Sequence, residues 1–223
     1  MTKRRNNILK IAIDSPAAAG AGTLARAISN HYNLSYLDTG KIYRYVAHLK
    51  IKYPKKFNKK FLTLKIKNLK IQNLQNKKLL SDKIGSAASV VSKKKYIRKL
   101  VHSFQLNFAY NPPLKFKGSC LDGRDITYNI VPDADLKFYI TANLKTRALR
   151  RFNELKNTNQ KITYDEVLKS IKKRDKSDFT RKISPLKKTK DSLLINTTNL
   201  TKRACFLKIK KIIDKKLKIN GNI

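Results

Sequence analysis

The stretch IAIDSPAAAGAGT at residues 11–23 decides the fold that the sequence predicts. The apolar residues from Ile8 to Ile13 form a short β-branched run, which is typical of a central strand in a parallel sheet. Small residues follow as a loop, and the apolar spacing from Thr23 onward predicts a helix. A loop between a buried strand and a helix directs backbone N–H groups and the positive end of the helix dipole at one point. The stretch therefore predicts an anion site, although a tight strand–helix turn selects the same small residues.

The same order of elements continues further along the chain. A second short strand is predicted at residues 34–37, and a helix at 42–50 follows the turn at 38–40. Two later strands, at 136–140 and 193–195, are each followed by a helical pattern. This alternation of strands and helices predicts an α/β fold with a parallel sheet that has helices on both sides.

Between these parts, the sequence predicts an insert and a long helix. Leu62, Leu64 and Ile66 alternate with polar residues, and this period of two predicts a small antiparallel insert between residues 53 and 80. Ser81 is predicted as the N-cap of a helix whose apolar pattern continues past residue 95.

A capping box predicts the start of a later helix. Thr163 is followed three residues on by Glu166, the spacing at which each side chain bonds the other residue's backbone N–H. The apolar residues Val167, Leu168 and Ile171 then give this helix one buried face.

Composition excludes several classes of protein. Hydrophobic residues make up 41% of the 223 residues, too many for a disordered chain. Cys120 and Cys205 belong to no CxxC pattern or Cys/His cluster, which excludes a disulfide scaffold and a zinc site. No apolar stretch approaches the length of a membrane span, and the basic N-terminus lacks a signal-cleavage pattern. We therefore expect one globular unit, residues 1–223, in a reducing compartment, the cytoplasm.

Net charge is the exceptional feature of the composition. Lys+Arg 52 outnumber Asp+Glu 14, which gives a formal charge of +38. Such a field attracts polyanions, including nucleic acids. The excess is spread along the whole chain, and runs such as residues 93–95 lack interleaved aromatic side chains. A well-solvated basic surface explains the charge as well as a nucleic-acid interface does, so both interpretations stay open.

Three further polar stretches are candidates for chemistry. DTGKIYR at 38–44 leads from a turn into a helix and places Arg44 near the start of that helix. DGRD at 122–125 sets a cation beside two carboxylates, and KRDKSDFTR at 173–181 follows a helical pattern. Each stretch alone is explained as a solvated turn or an ion pair. On one α/β framework, however, their arginines suit the binding of phosphates.

Taken together, these motifs resemble the bacterial cytidylate kinases, a family of P-loop nucleoside monophosphate kinases. The segments that carry the resemblance occur in the family's order over nearly the whole chain: IAIDSPAAAGAGTLA, YLDTGKIYR, SAAS, LDGRD, VPDADLKFYITA, RALRR and KRDKSDFTRKISPL. The resemblance implies a P-loop NTPase core at 1–44 and 89–223, with a small, shortened monophosphate-binding insert at 45–88 and a short lid at 174–182.

The same resemblance implies an activity and its ligands. The implied reaction transfers the γ-phosphoryl group of ATP to CMP or dCMP and uses Mg²⁺. The implied partners are these small nucleotides, and we expect a monomer that binds no specific nucleic acid and no membrane.

Individual residues are assigned roles by the resemblance alone. The loop implied to hold the ATP phosphates comprises Ser15, Pro16, Ala17, Ala18, Ala19, Gly20, Ala21, Gly22 and Thr23. Thr23 is also the implied magnesium contact, while Arg147 and Arg151 are implied to face ATP. The residues implied around the pyrimidine monophosphate are Thr39, Arg44, Ser89, Arg98, Arg124, Asp125, Asp178 and Arg181. The implied catalytic residues are Arg124, Arg174 and Arg181.

Two of these carboxylates give a physical reason for a cytosine substrate. Asp125 and Asp178 can each accept a hydrogen bond from the exocyclic amine of cytosine, whereas uracil carries a carbonyl at that place. A lid that closes over the nucleotides would also keep water away from the transferring group.

Ala21 departs from the phosphate-loop pattern, because G-x-x-x-x-G-K requires lysine at this position. Ser15 likewise stands where the pattern begins with glycine. Losing one charge-stabilising donor typically costs about 10²–10³ in rate. Either Lys41, where the family has a small residue, reaches the phosphates instead, or Lys41 is one more lysine of a basic surface. We favour an active kinase over the alternatives, a nucleotide-binding protein with weakened or lost catalysis and a basic nucleic-acid-binding protein.

Overall fold

A parallel sheet forms the centre of the fold, as the sequence predicts, and it contains five strands, the four predicted ones and Gly118–Gly123. The structure is a computed structural model and describes residues 8–157 and 162–219. The strands run in the spatial order β2-β3-β1-β4-β5. Their bounds are β1 Leu9–Asp14, β2 Leu34–Asp38, β3 Gly118–Gly123, β4 Leu136–Thr141 and β5 Leu193–Asn196.

Helices cover both faces of this sheet. The helices are α1 Ala21–Tyr32, α2 Thr39–Lys52, α3 Lys59–Lys67, α4 Asp82–Val91, α5 Lys95–Tyr110, α6 Leu144–Lys156, α7 Tyr164–Thr180 and α8 Lys202–Ile219. Shorter helical turns occur at Pro54–Lys56, Ile71–Gln75, Lys77–Leu80 and Ile126–Ile130.

Successive residues of β1 bury their side chains in different layers. Ile11 and Ile13 pack into the layer that contains Ile28 of α1 and Ile209 of α8. Ala12, between them, belongs to the opposite layer, which α2, α4 and α5 build. Because both faces are covered, the interior residues Ile11, Ala12 and Ile13 are all apolar, which is why the sequence indicates a strand here.

The antiparallel insert predicted between residues 53 and 80 is wrong, because this segment is helical. Leu62 and Ile66 are both buried, and four residues apart they lie on one face of α3. Leu64 is 58% exposed on the other side of the helix. The side chain of Asn58 accepts a hydrogen bond from the N–H of Phe61 at 2.9 Å and caps α3. A spacing of two over so few residues fits a strand and a helix equally.

The helix predicted from Ser81 begins there but is divided in two. The Ser81 hydroxyl accepts a hydrogen bond from the N–H of Ile84 at 3.4 Å, as an N-cap does. α4 then ends at Val91, and α5 begins at Lys95. The break frees the carbonyl of Ser92, which accepts a hydrogen bond from Arg98 Nε at 2.7 Å. The interruption therefore positions an arginine that the sequence assigns to the site.

The carboxyl ends of β2, β3 and β1 lie side by side at one edge of the sheet. Asp38 pairs with Asp122, and Gly123 pairs with Asp14. In a parallel sheet the loops that follow these ends meet in one crevice, where ligands of open α/β folds bind. This edge carries the candidate site.

Two further expectations concern cysteines and membrane spans. Cys120 and Cys205 are free and buried, as expected, and burial raises the pKa of the Cys120 thiol to about 12. Across residues 8–157 and 162–219, every helix is too short or too polar to cross a membrane.

Candidate active site

The loop between β1 and α1 exposes backbone donors to the crevice. Ser15 donates its N–H to the carbonyl of Gly123 at 3.1 Å, so the loop starts beside the end of β3. Ala18 and Gly20 have φ values of 58° and 87°, the left-handed conformation that turns the chain sharply into α1. Gly20 is the N-cap residue and has no side chain that would occupy the first N–H groups of α1. These groups, with the helix dipole, attract an anion.

Asp14, the last residue of β1, anchors the start of this loop through its side chain. Its buried carboxylate accepts hydrogen bonds from the N–H of Ile126 at 2.8 Å and from the N–H and hydroxyl of Thr127 at 2.9 and 2.7 Å. Burial raises the pKa of Asp14 to about 6, against the lowering effect of these hydrogen bonds. Asp14 therefore fastens the end of β1 to the helical turn Ile126–Ile130.

Arg147 lies behind the loop. Its guanidinium donates to the carbonyls of Ala142 at 2.9 Å and Ala17 at 3.1 Å, and it forms a 2.6 Å ion pair with Asp175. Arg147 is buried and lies outside the lining of the cleft, whereas the sequence assigned it to ATP. In this structure it links α6, the phosphate loop and α7.

Arg150 is the arginine of α6 that the sequence reasoning missed. Its guanidinium donates to the hydroxyl of Thr197 at 2.9 Å and to the carbonyl of Thr197 at 2.7 Å. The same hydroxyl donates to the carbonyl of Ala19 at 3.1 Å, which joins Arg150 to the phosphate loop. A Cβ on Gly20 would lie 3.8 Å from Arg150 Nη1. Three arginines occur within residues 147–151, but the sequence alone does not indicate which of them faces the loop.

One cleft of about 920 Å³ gathers nearly all of the predicted site residues. Its lining includes every loop residue from Ser15 to Thr23, together with Thr39, Arg44, Ser89, Arg98, Arg124, Asp125, Arg151, Arg174, Asp178 and Arg181. Residues distant in sequence therefore converge at the carboxyl edge of the sheet.

Thr39 and Arg44 are fixed on the α2 side of the cleft. The Thr39 hydroxyl donates to the carbonyl of Asp122 at 2.8 Å. Arg44 donates to the carbonyls of Leu79 at 2.7 Å and Ser81 at 3.1 Å. A Cβ on Gly85 would lie 2.9 Å from Arg44 Nη2, so a larger residue at 85 would displace the Arg44 guanidinium from this position. These carbonyls orient the guanidinium without neutralising its charge.

Arg98 and Asp125 form a buried ion pair of 3.2 Å at the α5 side of the cleft. The side-chain amide of Asn129 also donates to Asp125 Oδ2, at 2.9 Å. The Arg98 guanidinium lies 5.4 Å from the ring centroid of Tyr43. These contacts hold the Asp125 carboxylate in one orientation.

Asp178 bridges two arginines. Its carboxylate pairs with Arg124 at 2.8 Å and with Arg181 at 3.2 Å. Burial alone would raise the pKa of Asp178, but Arg124 and Arg181 together hold it below the ordinary value. The Arg181 guanidinium also donates to the carbonyl of Ser184 at 2.6 Å, so the chain after α7 folds back onto the cleft.

Arg174 marks the most positive part of the cleft. Burial, followed by the charges of Arg124 and Arg44, lowers its pKa to about 10, and Asp178 offsets only part of this. Within residues 8–157 and 162–219, Arg174 donates no hydrogen bond and forms no ion pair. Crowded like charges with one carboxylate among them form a site for a multivalent anion.

The opening of the cleft also holds oxygen atoms that suit a cation carried on phosphates. Thr23 is exposed there, and a Cβ on Gly22 would lie 3.4 Å from Asp122 Oδ2. In the part of the chain that the structure describes, no three His, Cys, Asp or Glu side chains converge as a metal cage. This donor set fits Mg²⁺ bound mainly by phosphates and water, not an ion enclosed by protein.

A parallel sheet whose first strand leads into a phosphate-binding loop, facing an arginine-rich wall, defines the class of P-loop nucleotide-binding proteins. The comparisons specify the family. The chain belongs to the cytidylate kinase family, because the family model described as cytidylate kinase matches residues 11–215. The resemblance seen in the sequence is thereby confirmed.

Individual relatives agree with this assignment. The chain is 42% identical to the cytidylate kinase of Bartonella henselae over 205 residues, 92% of this chain and 94% of that protein. It is 37% identical to the cytidylate kinase of Mesomycoplasma hyopneumoniae strain 7448, over 94% of this chain and 95% of that protein. An uncharacterized protein from Eubacterium ventriosum of known crystal structure shares the fold, with a TM-score of 0.55 and 15% identity, over 92% and 98% of the two chains.

Proposed function

We propose that the chain transfers the γ-phosphoryl group of ATP to CMP or dCMP, giving ADP and CDP or dCDP. The observation that carries this proposal is the pairing of two anion sites in one cleft. The uncapped start of α1 offers backbone donors, and the arginines around Arg174 offer charge. Phosphoryl transfer asks a protein mainly to hold two nucleotides in line and to stabilise spreading negative charge.

The donor side of the cleft is the loop from Ser15 to Thr23. Its N–H groups hold the β- and γ-phosphates of ATP, and Arg151, fixed by Glu154 at 3.0 Å, faces the same nucleotide. Mg²⁺ bound with ATP would neutralise part of the phosphate charge, and the Thr23 hydroxyl is the protein oxygen that would hold it.

The acceptor side lies between α2, α4 and α5. Thr39, Arg44 and Ser89 hold the monophosphate there, with Arg98 and Asp125 toward the base. Both hydrogen bonds that the described residues make to Asp125 end on Oδ2. Oδ1 therefore remains available to accept from the exocyclic amine of cytosine, and Asp178 supports the same preference.

Three arginines stabilise the phosphoryl group during transfer. Arg124, Arg174 and Arg181 converge from the end of β3 and from α7, and a guanidinium keeps its charge at any physiological pH. Residues 174–182, at the end of α7, serve as a lid that excludes water when both nucleotides are present.

The insert is 45–88, and the core comprises 1–44 and 89–223. We place the enzyme, as a monomer, in the cytoplasm, because two free buried thiols suit a reducing compartment.

A coupled assay of ADP release, with CMP, dCMP, UMP and AMP compared in parallel, tests the proposed function. We expect CMP or dCMP to stimulate ADP formation and UMP to do so less, since Asp125 and Asp178 favour an exocyclic amine. Arg174→Ala should lower the stimulated rate by about 10²-fold or more. Lys172→Ala, an exposed lysine on the same helix, is the matched control and should leave the rate unchanged.

The contrary outcome is equally specific. If neither CMP nor dCMP raises ADP formation above the rate of the Arg174→Ala variant, the kinase proposal fails. Calorimetric binding of ATP and CMP without any CDP would then identify a nucleotide-binding protein that has lost catalysis, the outcome that Ala21 motivates.

A further inference from the structure

We propose that Lys41 supplies the cation that the phosphate loop lacks at Ala21. The ammonium group of Lys41 would contact the ATP phosphates beside Gly22 and Thr23. This inference rests on the proposed function, because it assigns a catalytic residue to the same phosphoryl transfer.

The position of Lys41 is set by the corner between β2 and α2. A Cβ on Gly22 would lie 3.3 Å from the hydroxyl oxygen of Tyr36, so the first turn of α1 borders β2. Two residues after Tyr36, Asp38 ends β2, and α2 starts at Thr39. Lys41 therefore stands in the first turn of α2, on the β2 side of the sheet that the first turn of α1 borders, and it lines the same cleft.

Most other cations of the cleft are engaged with protein groups. Arg98 pairs with Asp125, and Arg124 and Arg181 pair with Asp178. Arg44, Arg150 and Arg151 bond the Leu79 carbonyl, Thr197 and Glu154, so the guanidinium of Arg150, although it lies near Gly20, is already engaged. The backbone N–H of Lys41 donates to Asp38 Oδ1 at 3.2 Å, but among the described residues its ammonium group forms neither a hydrogen bond nor an ion pair. A flexible four-carbon stem lets such a group follow a phosphate.

The remaining cations of the lining fit the role less well. Arg26 lies over the ring of Tyr36, 5.5 Å from its centroid, and Arg174 belongs to the far wall on α7. Lys202 starts α8 after β5, at the opposite edge of the sheet from β2. At Gly22 the first turn of α1 borders Tyr36 of β2 and Asp122 of β3, which favours Lys41, although Ala19 earlier in the loop bonds Thr197 on the β5 side.

Local structure does not explain a lysine at this place. A cation in the first turn of a helix opposes the helix dipole, which is unfavourable for the helix. The Asp38 carboxylate, which caps α2, offsets part of this effect. Because α3, α5 and α8 also begin with lysines, it is the place of Lys41 in the lining of the cleft that carries the inference.

The test measures turnover and nucleotide binding for a set of four variants. Lys41→Ala should lower kcat by about 10²–10³ and weaken ADP binding in calorimetry. Ala21→Lys in the Lys41→Ala background should restore most of both, because it returns a cation to the loop. Lys50→Ala, an exposed lysine on α2, should change neither. Lys202→Ala should lower kcat less than Lys41→Ala does.

Melting temperatures separate this role from a structural one. Removing a cation from the start of α2 should leave the stability of Lys41→Ala equal or slightly raised, whereas a structural lysine would lower it on removal. Turnover and ADP affinity of Lys41→Ala equal to those of the wild type would overturn the inference. A larger loss in Lys202→Ala would do the same. If the wild type has no CMP-dependent turnover, the proposed function fails, and ADP affinity of the same variants still decides the role of Lys41.

Discussion

The free energy of folding depends on pH through Asp14, the buried residue that precedes the phosphate loop. Folding raises its pKa from 3.8 to about 6, so the folded state binds a proton that the unfolded chain releases. Its contribution to stability is therefore complete below pH 3.8 and is lost as the pH rises through about 6. A pKa difference of one between the folded and unfolded states corresponds to about 1.4 kcal/mol, so the change in stability is on the order of 3 kcal/mol.

We expect this change to disappear in Asp14→Asn, which does not titrate. The free energies of unfolding of the wild type and the variant, measured by urea denaturation at several pH values, should differ by an amount that moves in the variant's favour between pH 3.8 and about 6. A difference that stays constant over this range, or that moves in favour of the wild type, would contradict the assignment.

At the residue scale, the residues that the sequence names converge in one cleft, but the sequence does not reveal how their side chains pair. The loop and the motif arginines are recognisable because phosphate binding needs small residues and guanidinium groups in fixed order. Arg147 and Arg150 could not be told apart, because their roles depend on how α6 rotates against Thr197 and Asp175. The packing between α6 and α7 determines that rotation, and one sequence does not reveal it.

Among the elements, α7 offers a direct test because it carries Arg174 and Asp178. Its start is a capping box: Glu166 donates its N–H to the Thr163 hydroxyl at 3.3 Å, and Thr163 donates its N–H to the Glu166 carboxylate at 2.8 Å. Thr163→Ala should lower the free energy of unfolding by about 0.5–2 kcal/mol, measured by denaturant titration. The matched control is Lys172→Ala, an exposed residue in the interior of α7, where no cap is lost.

The outcome for kinetics follows from the same element. Thr163 precedes the first residue of α7, several helical turns from Arg174. Local unfolding at this end would leave Arg174 in place, so Thr163→Ala should change stability more than turnover. Equal stability of the Thr163→Ala and Lys172→Ala variants would show that the capping box contributes nothing measurable.

Prediction of elements succeeded where only one period fits the pattern and failed where two periods fit it. The strands at the centre of the sheet are buried apolar runs, and Ser81 and Thr163 begin helices as their side chains predict. The insert failed because Leu62, Leu64 and Ile66 match two periods at once. Only the packing of Leu62 and Ile66 against the layer that contains α2 and α5 selects the helix.

For the whole molecule, the formal charge of +38 sets the dependence on salt. Like charges spread over one surface repel one another and destabilise the folded state. Raising sodium chloride from about 0.01 M to about 0.15 M shortens the Debye length from about 30 Å to about 8 Å. We therefore expect the melting temperature of the ligand-free protein, followed by circular dichroism, to rise over this range.

The same titration distinguishes a solvated basic surface from a nucleic-acid interface. A surface without a dedicated interface should bind duplex DNA only at low salt and lose it near physiological salt. Tight association at about 0.15 M sodium chloride, or a melting temperature that falls as salt is added, would contradict this expectation.

The crowding of guanidinium groups around Arg174 has a consequence for the evolution of this protein. Burial and neighbouring like charges lower the pKa of Arg174. Without a nucleotide, the guanidinium groups around Arg174 therefore repel one another and destabilise the folded state. A nucleotide that enters acts as their counter-ion, so occupancy and folding are linked, and saturation at about 100 times Kd adds about 2.7 kcal/mol. Substitutions that remove arginines from this cluster would stabilise the ligand-free protein and lower its activity. The sequence therefore balances the folding stability of the ligand-free protein against its activity.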